Sequence, residues 1–150
     1  MPHSFSSSLF HVVFSTKERR KLINDELRPR LWAYLGGIAR ENDMKALSVG
    51  GIDDHVHVLV SMPATIALAK SVQLIKGGSS KWVHDTFREL RDFEWQEGYG
   101  AFSVSISNVS DTIAYIEHQA EHHRTKTFEE EFIAFLERHN IPFDPKYVFG

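Results

Sequence analysis

The sequence predicts an α+β sandwich in one domain, and three observations carry that reading. Short apolar strands alternate with longer helical stretches in the order β-α-β-β-α-β. The second and third strands are separated only by the turn residues Gly51-Ile52-Asp53-Asp54, so they pair as an antiparallel hairpin. A chain of 150 residues is the size of one domain and can bury a sizeable core, so residues 1–150 are read as a single unit.

The elements follow in order. Leu9-Phe10-His11-Val12-Val13-Phe14 is an apolar run of strand length. Asn24-Asp25-Glu26 can cap a helix reaching about Arg40, with Leu27, Leu31, Tyr34, Leu35 and Ile38 on its inner face. Pro29 either marks its start or distorts its first turn. Met44 to Gly50 and His55 to Ser61 form the hairpin strands. Thr65 opens a helix to about Phe87, with Leu68, Val72 and Ile75 at core spacing; Gly77-Gly78 weakens its middle or admits a neighbour. Ala101 to Ile106 alternates Phe102, Val104 and Ile106 with small or polar residues, the pattern of a half-buried strand.

Two further helices complete the chain. One starts near Asn108, with Val109, Ile113, Ile116 and Ala120 along a narrow apolar stripe. Thr127-Phe-Glu-Glu130 is a capping box for the last helix, which Asn140 and Pro142 stop. The first six elements are those of the ferredoxin-like or RRM-like sandwich, an antiparallel sheet with helices on one face. The other face is expected to be open.

Composition narrows the function classes. Cysteine is absent, which excludes disulfides and thiolate metal sites. No apolar run approaches the ~20 residues needed to span a bilayer. The start, Met-Pro-His-Ser-Phe-Ser-Ser-Ser, lacks the basic and apolar regions of a signal peptide, so cytoplasmic residence is expected. The net charge of −3 argues mildly against a nucleic-acid partner, but basic residues cluster locally. Lys17, Arg19, Arg20, Lys21, Arg28 and Arg30 form one stretch, Lys70, Lys76 and Lys81 a second, and His122, His123, Arg124 and Lys126 a third. Glu129, Glu130 and Glu131 form an acidic run that reads as solvated surface.

The chemistry concentrates in Asp53-Asp54-His55-Val56-His57-Val58-Leu59-Val60. Side chains alternate along a strand, so His55 and His57 share one face while Val56, Val58 and Val60 occupy the other. Burial of the valine face fixes the register and aims both imidazoles the same way. Two imidazoles at that spacing can grip one metal ion, and Asp53 or Asp54 can orient a ring nitrogen. In Tyr115-Ile-Glu-His-Gln119, Tyr115 and Gln119 fall on adjacent turns of one helix side, off the apolar stripe. They could bring a nucleophile and a further ligand to the same ion. A rim tyrosine that reaches its hydroxyl to water is the plainer reading of Tyr115. No clear general base is visible; His118 and His122 also lie off the stripe.

Asp-His-Val-His followed by Tyr-x-x-x-Gln resembles the TnpA-like single-tyrosine transposases of the HUH superfamily. These include the transposases of small insertion sequences and the repeat-associated tyrosine transposases. Phe10-His-Val-Val-Phe-Ser-Thr-Lys17, Trp95-Gln-Glu-Gly-Tyr-Gly-Ala-Phe-Ser-Val104 and the stretch from Glu121-His-His-Arg124 through Tyr147 extend the resemblance over nearly the whole chain. It implies His55 and His57 as metal ligands, Gln119 completing the site, and Mg²⁺ or Mn²⁺ as the ion. It implies Tyr115 as the nucleophile that cleaves single-stranded DNA, giving a 5′-phosphotyrosine and a free 3′-hydroxyl for strand transfer. It also implies hairpin-bearing DNA ends as partners and a homodimer whose active sites can be shared between subunits. Lys17, Arg19, Arg20, Lys76, Lys81 and Arg124 are the phosphate-contact candidates, chosen by charge and location.

Two other readings stand beside it. Gly98-Tyr-Gly-Ala-Phe-Ser-Val104 is similar to the glycine-aromatic pattern of an RNA- or DNA-binding RRM strand, although Glu97 replaces a basic residue and Ala101 shifts the aromatic spacing. A zinc hydrolase using His55, His57 and a third histidine would need no tyrosine.

Overall fold

Residues 5–149 are described by a computed structural model; Met1 to Ser4, part of the stretch read for a signal peptide, and Gly150 lie outside it. Four strands form one sheet: β1 (Leu9–Ser15), β2 (Lys45–Gly51), β3 (His55–Ser61) and β4 (Gly100–Ser103). Their order is β2-β3-β1-β4 and every pairing is antiparallel, as the ferredoxin-like sandwich requires. Helices α1 (Leu27–Glu41) and α2 (Leu68–Thr86) pack on one face. Among the described residues, no helix is long and apolar enough to cross a membrane.

Alternation along the strands builds two cores. Val12, Phe14, Val56, Val58 and Val60 meet Leu27, Leu31, Leu35, Val72 and Ile75 from α1 and α2. In β3 this leaves His55, His57 and Leu59 on the opposite face, all fully buried. That face is not open, contrary to the expectation from sequence. It is covered by α3 (Val109–Glu117), the single turn α4 (Gln119–His122) and α5 (Phe128–Arg138). Phe128, Phe132, Phe135 and Leu136 of α5 pack with Val13 and Phe102 of the sheet in a second core.

Local differences from the sequence reading have physical causes. Asn24 Oδ1 accepts from the Leu27 amide (2.8 Å), so Pro29 sits in the first turn of α1, where its missing N–H costs no helical bond. The Ile66 amide donates to the Pro63 carbonyl (3.4 Å) and Ala67 stays extended, so α2 begins at Leu68 rather than Thr65. It then runs unbroken through Gly77-Gly78, where Gly78 faces the Ile38 side chain. Strand β4 ends at Ser103, opposite Phe10 of β1; a 3-10 turn over Ile106–Asn108 follows and leaves Ile106 exposed. The helix carrying Tyr115 breaks at His118, whose φ of −106° and ψ of 29° separate α3 from α4.

One close approach sets the depth of α3. Gly50 pairs with His57 across the β2–β3 ladder, so both belong to the covered face. A Cβ on Gly50 would lie 2.4 Å from the Ile116 carbonyl oxygen, so only glycine lets the α3 backbone settle on β2. Gly36, inside α1, has open space around its Cβ position. Gly50→Ala should therefore lose about 1–3 kcal/mol through overpacking, while Gly36→Ala gains about 0.5–1 kcal/mol. Urea denaturation of both variants measures this, and a Gly50→Ala protein as stable as the parent would contradict the seating of α3.

Candidate active site

The covered face brings together side chains from five elements of the chain. His55 and His57 arrive from β3, His11 from β1, Tyr115 from α3, Gln119 from α4 and Glu131 from α5. His55 and His57 are 0% exposed, Gln119 1% and Glu131 2%, so each polar group needs a partner inside the protein.

Glu131 supplies most of them. Its Oε1 lies 3.0 Å from His57 Nε2, 3.2 Å from His123 Nε2 and 3.5 Å from His55 Nε2. The Tyr115 hydroxyl donates to its other oxygen, Oε2. One carboxylate thus joins the histidine pair to the tyrosine. Burial alone would raise the pKa of Glu131, but hydrogen bonds from His123 and His57 hold it far below the usual carboxylate range. Burial, reinforced by the hydrogen bond to Glu131 and its charge, pushes the Tyr115 phenol well above its ordinary value. His57 is shifted downward by burial, against the pull of Glu131. For His123, burial acts downward, but Glu131 outweighs it and the net shift is upward.

The two strand imidazoles are oriented from behind. His55 Nδ1 donates to Asp54 Oδ1 at 2.7 Å, which leaves its Nε2 as the inward-facing nitrogen. That nitrogen lies 2.9 Å from Gln119 Oε1, whose amide NH₂ donates to the Tyr115 carbonyl (3.3 Å). His57 Nδ1 lies 2.7 Å from His11 Nε2. Burial, then repulsion from His57, lowers the His11 pKa to about 3, so His11 is neutral and donates or accepts according to the tautomer of His57.

These groups fit a divalent cation. One ligand atom from each of His55, His57 and Glu131 lies within 4.8 Å of the others, and the Gln119 oxygen faces the same centre. With His55 protonated at Nδ1, an imidazole lone pair, an amide oxygen and a carboxylate oxygen converge. That concentration of acceptors calls for a positive charge, either a proton or a metal ion. Binding through His57 Nε2 requires its proton on Nδ1, where it can donate to His11.

Sequence reasoning anticipated His55, His57, Tyr115 and Gln119, and the structure brings all four together. It missed Glu131, His11 and His123. The expected solvation of the acidic run holds for Glu130, is partial for Glu129 and fails for Glu131, which faces inward beside Phe128, Phe132 and Phe135. His118 Nδ1 caps the Ala114 carbonyl (2.6 Å) on the exposed side, whereas the His122 ring lies 4.5 Å from that of Tyr115.

The basic candidates do not converge on the site. Lys17, Arg19, Arg20 and Lys81 pair with Glu94, Glu129, Asp92 and Asp85 respectively. Lys76 donates to the carbonyls of Gln96, Glu97 and Gly98. Arg124 lines a surface hollow beside Lys126 and has no ion pair among the described residues. The four surface pairs are each worth only about 0–1 kcal/mol, so phosphates can compete for those cations.

The sequence places the chain in a family of transposases. The family described as "Transposase IS200 like" matches residues 4–119, and the chain belongs to it. The chain is 27% identical to the transposase for insertion sequence element IS200 of Salmonella typhimurium over 127 residues, covering 81% of this chain and 82% of that protein. It is 25% identical to the ISDra2 transposase TnpA of Deinococcus radiodurans over 115 residues, covering 73% and 82%. Among solved structures, a putative transposase from Deinococcus radiodurans superposes with a TM-score of 0.66 at 24% identity, covering 78% of this chain and 94% of that one. A REP-associated tyrosine transposase bound to a REP hairpin superposes with a TM-score of 0.59 at 13% identity, covering 81% and 71%. The family match ends at Gln119, so α5 and Glu131 lie beyond it.

Glu131→Gln should weaken Mn²⁺ binding roughly 10–100-fold, the usual effect of losing a group that supports a metal site. Titration calorimetry on the purified protein measures it, and unchanged affinity would remove Glu131 from the donor set.

Proposed function

We propose that the chain is a single-stranded DNA transposase in which Tyr115 attacks a phosphodiester beside a metal held by His55, His57 and Gln119. Glu131 is added to that donor set on geometric grounds. The observation that carries the reading is the Glu131 bridge, which ties the nucleophile to the histidine pair within one chain.

Each residue has a role derivable from its surroundings. Asp54 and His11 fix the orientation of His55 and His57. Glu131 holds the Tyr115 hydroxyl through its proton, and the buried surroundings keep the phenol protonated until negative charge at the site is offset. A divalent cation bound there supplies positive charge against the charge developing on the phosphate. Imidazole nitrogens suit Mn²⁺, while the carboxylate and amide oxygens also suit Mg²⁺. The Tyr115 oxygen forms a bond to phosphorus as the bond to the 3′ oxygen breaks. The products are a 5′-phosphotyrosine and a 3′-hydroxyl, and the retained phosphodiester energy lets another 3′-hydroxyl reseal the strand.

Hairpin-bearing DNA ends are the proposed substrate, and a homodimer would hold two such ends together. The chemistry itself is proposed to be complete within one subunit, because all the groups meet in one chain. An RRM-like binding module is disfavoured by the helices covering the sheet face it would use.

The test is incubation with the DNA flanking its own gene, single- and double-stranded, with Mn²⁺ or Mg²⁺ and denaturing gels for covalent adducts. Adducts are expected on single strands only. Tyr115→Phe should bind the same DNA and form none, so an adduct from that variant would overturn the assignment. Replacing both His55 and His57 with Ala should abolish metal-dependent cleavage, whereas full cleavage in chelator points to another site. Mixing the Tyr115→Phe protein with the double histidine variant distinguishes assembly modes: shared sites regain adducts, and self-contained sites regain none, the result expected here.

A further inference from the structure

Two cavities open on either side of Tyr115, and the same pair of α5 residues, Phe135 and Arg138, lines both. The first, of about 350 Å³, lies between the start of α3, the end of β4 and α5. This falls in the range of small-ligand sites. Its apolar wall is aromatic: Phe102 stacks on Phe135 with ring centroids 5.1 Å apart, and the His139 ring tilts against Phe102 at 4.7 Å. Its polar wall is Asn108 and Asp111.

These polar groups carry little internal bonding, the Arg138 guanidinium lying over the Phe135 ring at 5.4 Å from its centroid. Asn108 is the N-cap of α3 but makes no side-chain cap bond, and Asp111 and Arg138 have no ion pair or side-chain hydrogen bond among the described residues. All three are exposed to solvent at the cavity, so their charges and amide are available to a ligand. Arg138 also stands close enough for its charge to act on the Tyr115 phenol.

We propose that this cavity seats one unpaired nucleotide next to the scissile phosphate and selects a base carrying an exocyclic amino group. The proposal rests on the reading of Tyr115 as nucleophile and adds a base-reading site and a phosphate clamp to it. The base packs against the aromatic wall. Asp111, an acceptor only, receives the amino group of adenine, cytosine or guanine, whereas thymine presents a carbonyl at the corresponding position and has only its ring N3–H to donate. Asn108 can pair in two-point fashion with adenine. Arg138, at the boundary of the two cavities, holds the intervening phosphate by its planar guanidinium. The strand then runs from one cavity into the other across Tyr115. Lys126, His122 and His123 around the second cavity suit backbone rather than base.

The test uses fluorescence anisotropy of labelled hexanucleotides, dA6, dC6 and dT6, on the full chain without added metal. The parent should bind dA6 and dC6 roughly five- to a hundredfold more tightly than dT6. Asp111→Ala should erase that preference. Arg138→Gln should weaken all three alike and flatten the salt dependence. Neither residue is buried, so circular dichroism should show both variants folded. Equal binding of the three oligonucleotides by the parent, or a preference that survives Asp111→Ala, overturns the inference. Covalent adducts formed without any base preference beside the cleaved bond would sink this site and leave the transposase reading standing. Absence of adducts on any single strand would sink that reading instead.

Discussion

A single buried carboxylate fixes how the last helix of this protein sits on the rest. Glu131 is the polar anchor of α5 and takes hydrogen bonds from groups of β3, α3 and the segment after α4. Removing one partner of a buried, charge-assisted set costs about 3–5 kcal/mol, because the remaining groups stay desolvated and unpaired. The apolar stripe of α5 gives the helix its affinity for the sheet, and the carboxylate fixes its register there. Burial, with the same contact adding to it, makes the phenol a poorer acid than in water. Order and reactivity are therefore opposed in the absence of a cation, and a positive charge at the centre relieves both.

Much of the framework was legible because it depends on periodicity. The valines of β3 must face α1 and α2, and that alone sends His55 and His57 to the other side. The capping box at Thr127 forms as read, with the Glu130 amide donating to Thr127 Oγ1 (3.2 Å) and the Thr127 amide to Glu130 Oε1 (3.0 Å). What could not be read was the covering of the sheet. Periodicity states which side of an element is apolar and is silent about which surface it meets. The signal for Glu131 was nonetheless present. It stands three residues after Phe128 and four before Phe135, inside the apolar stripe of its own helix. A carboxylate there either destabilises the helix or has buried cationic and hydrogen-bonding partners.

The helix break at His118 was illegible for a different reason. The apolar stripe from Val109 through Ala120 continues past it, so helical spacing gives no warning. The break is supported by tertiary contacts: the Gln119 side chain turns in to His55 while the His118 ring caps Ala114. Tyr115 and Gln119 meet the site from two short segments rather than from adjacent turns of one rod. Their spacing led to the right neighbourhood through the wrong local geometry.

The contact at Gly50 gives Tyr115 an unusual kind of mounting. Most helices rest on side chains, which hop between rotamers and let the helix ride up or down by fractions of an ångström. Here the floor beneath Ile116 is main chain meeting main chain, and Tyr115 is the next residue along. Neither surface has a side-chain torsion to relax, so the height of the phenol above the strand is set by the backbone and its hydrogen-bond ladder. The Tyr115 phenol stands on a hard stop, while the groups that answer it from α5 remain on a cushion of phenylalanines.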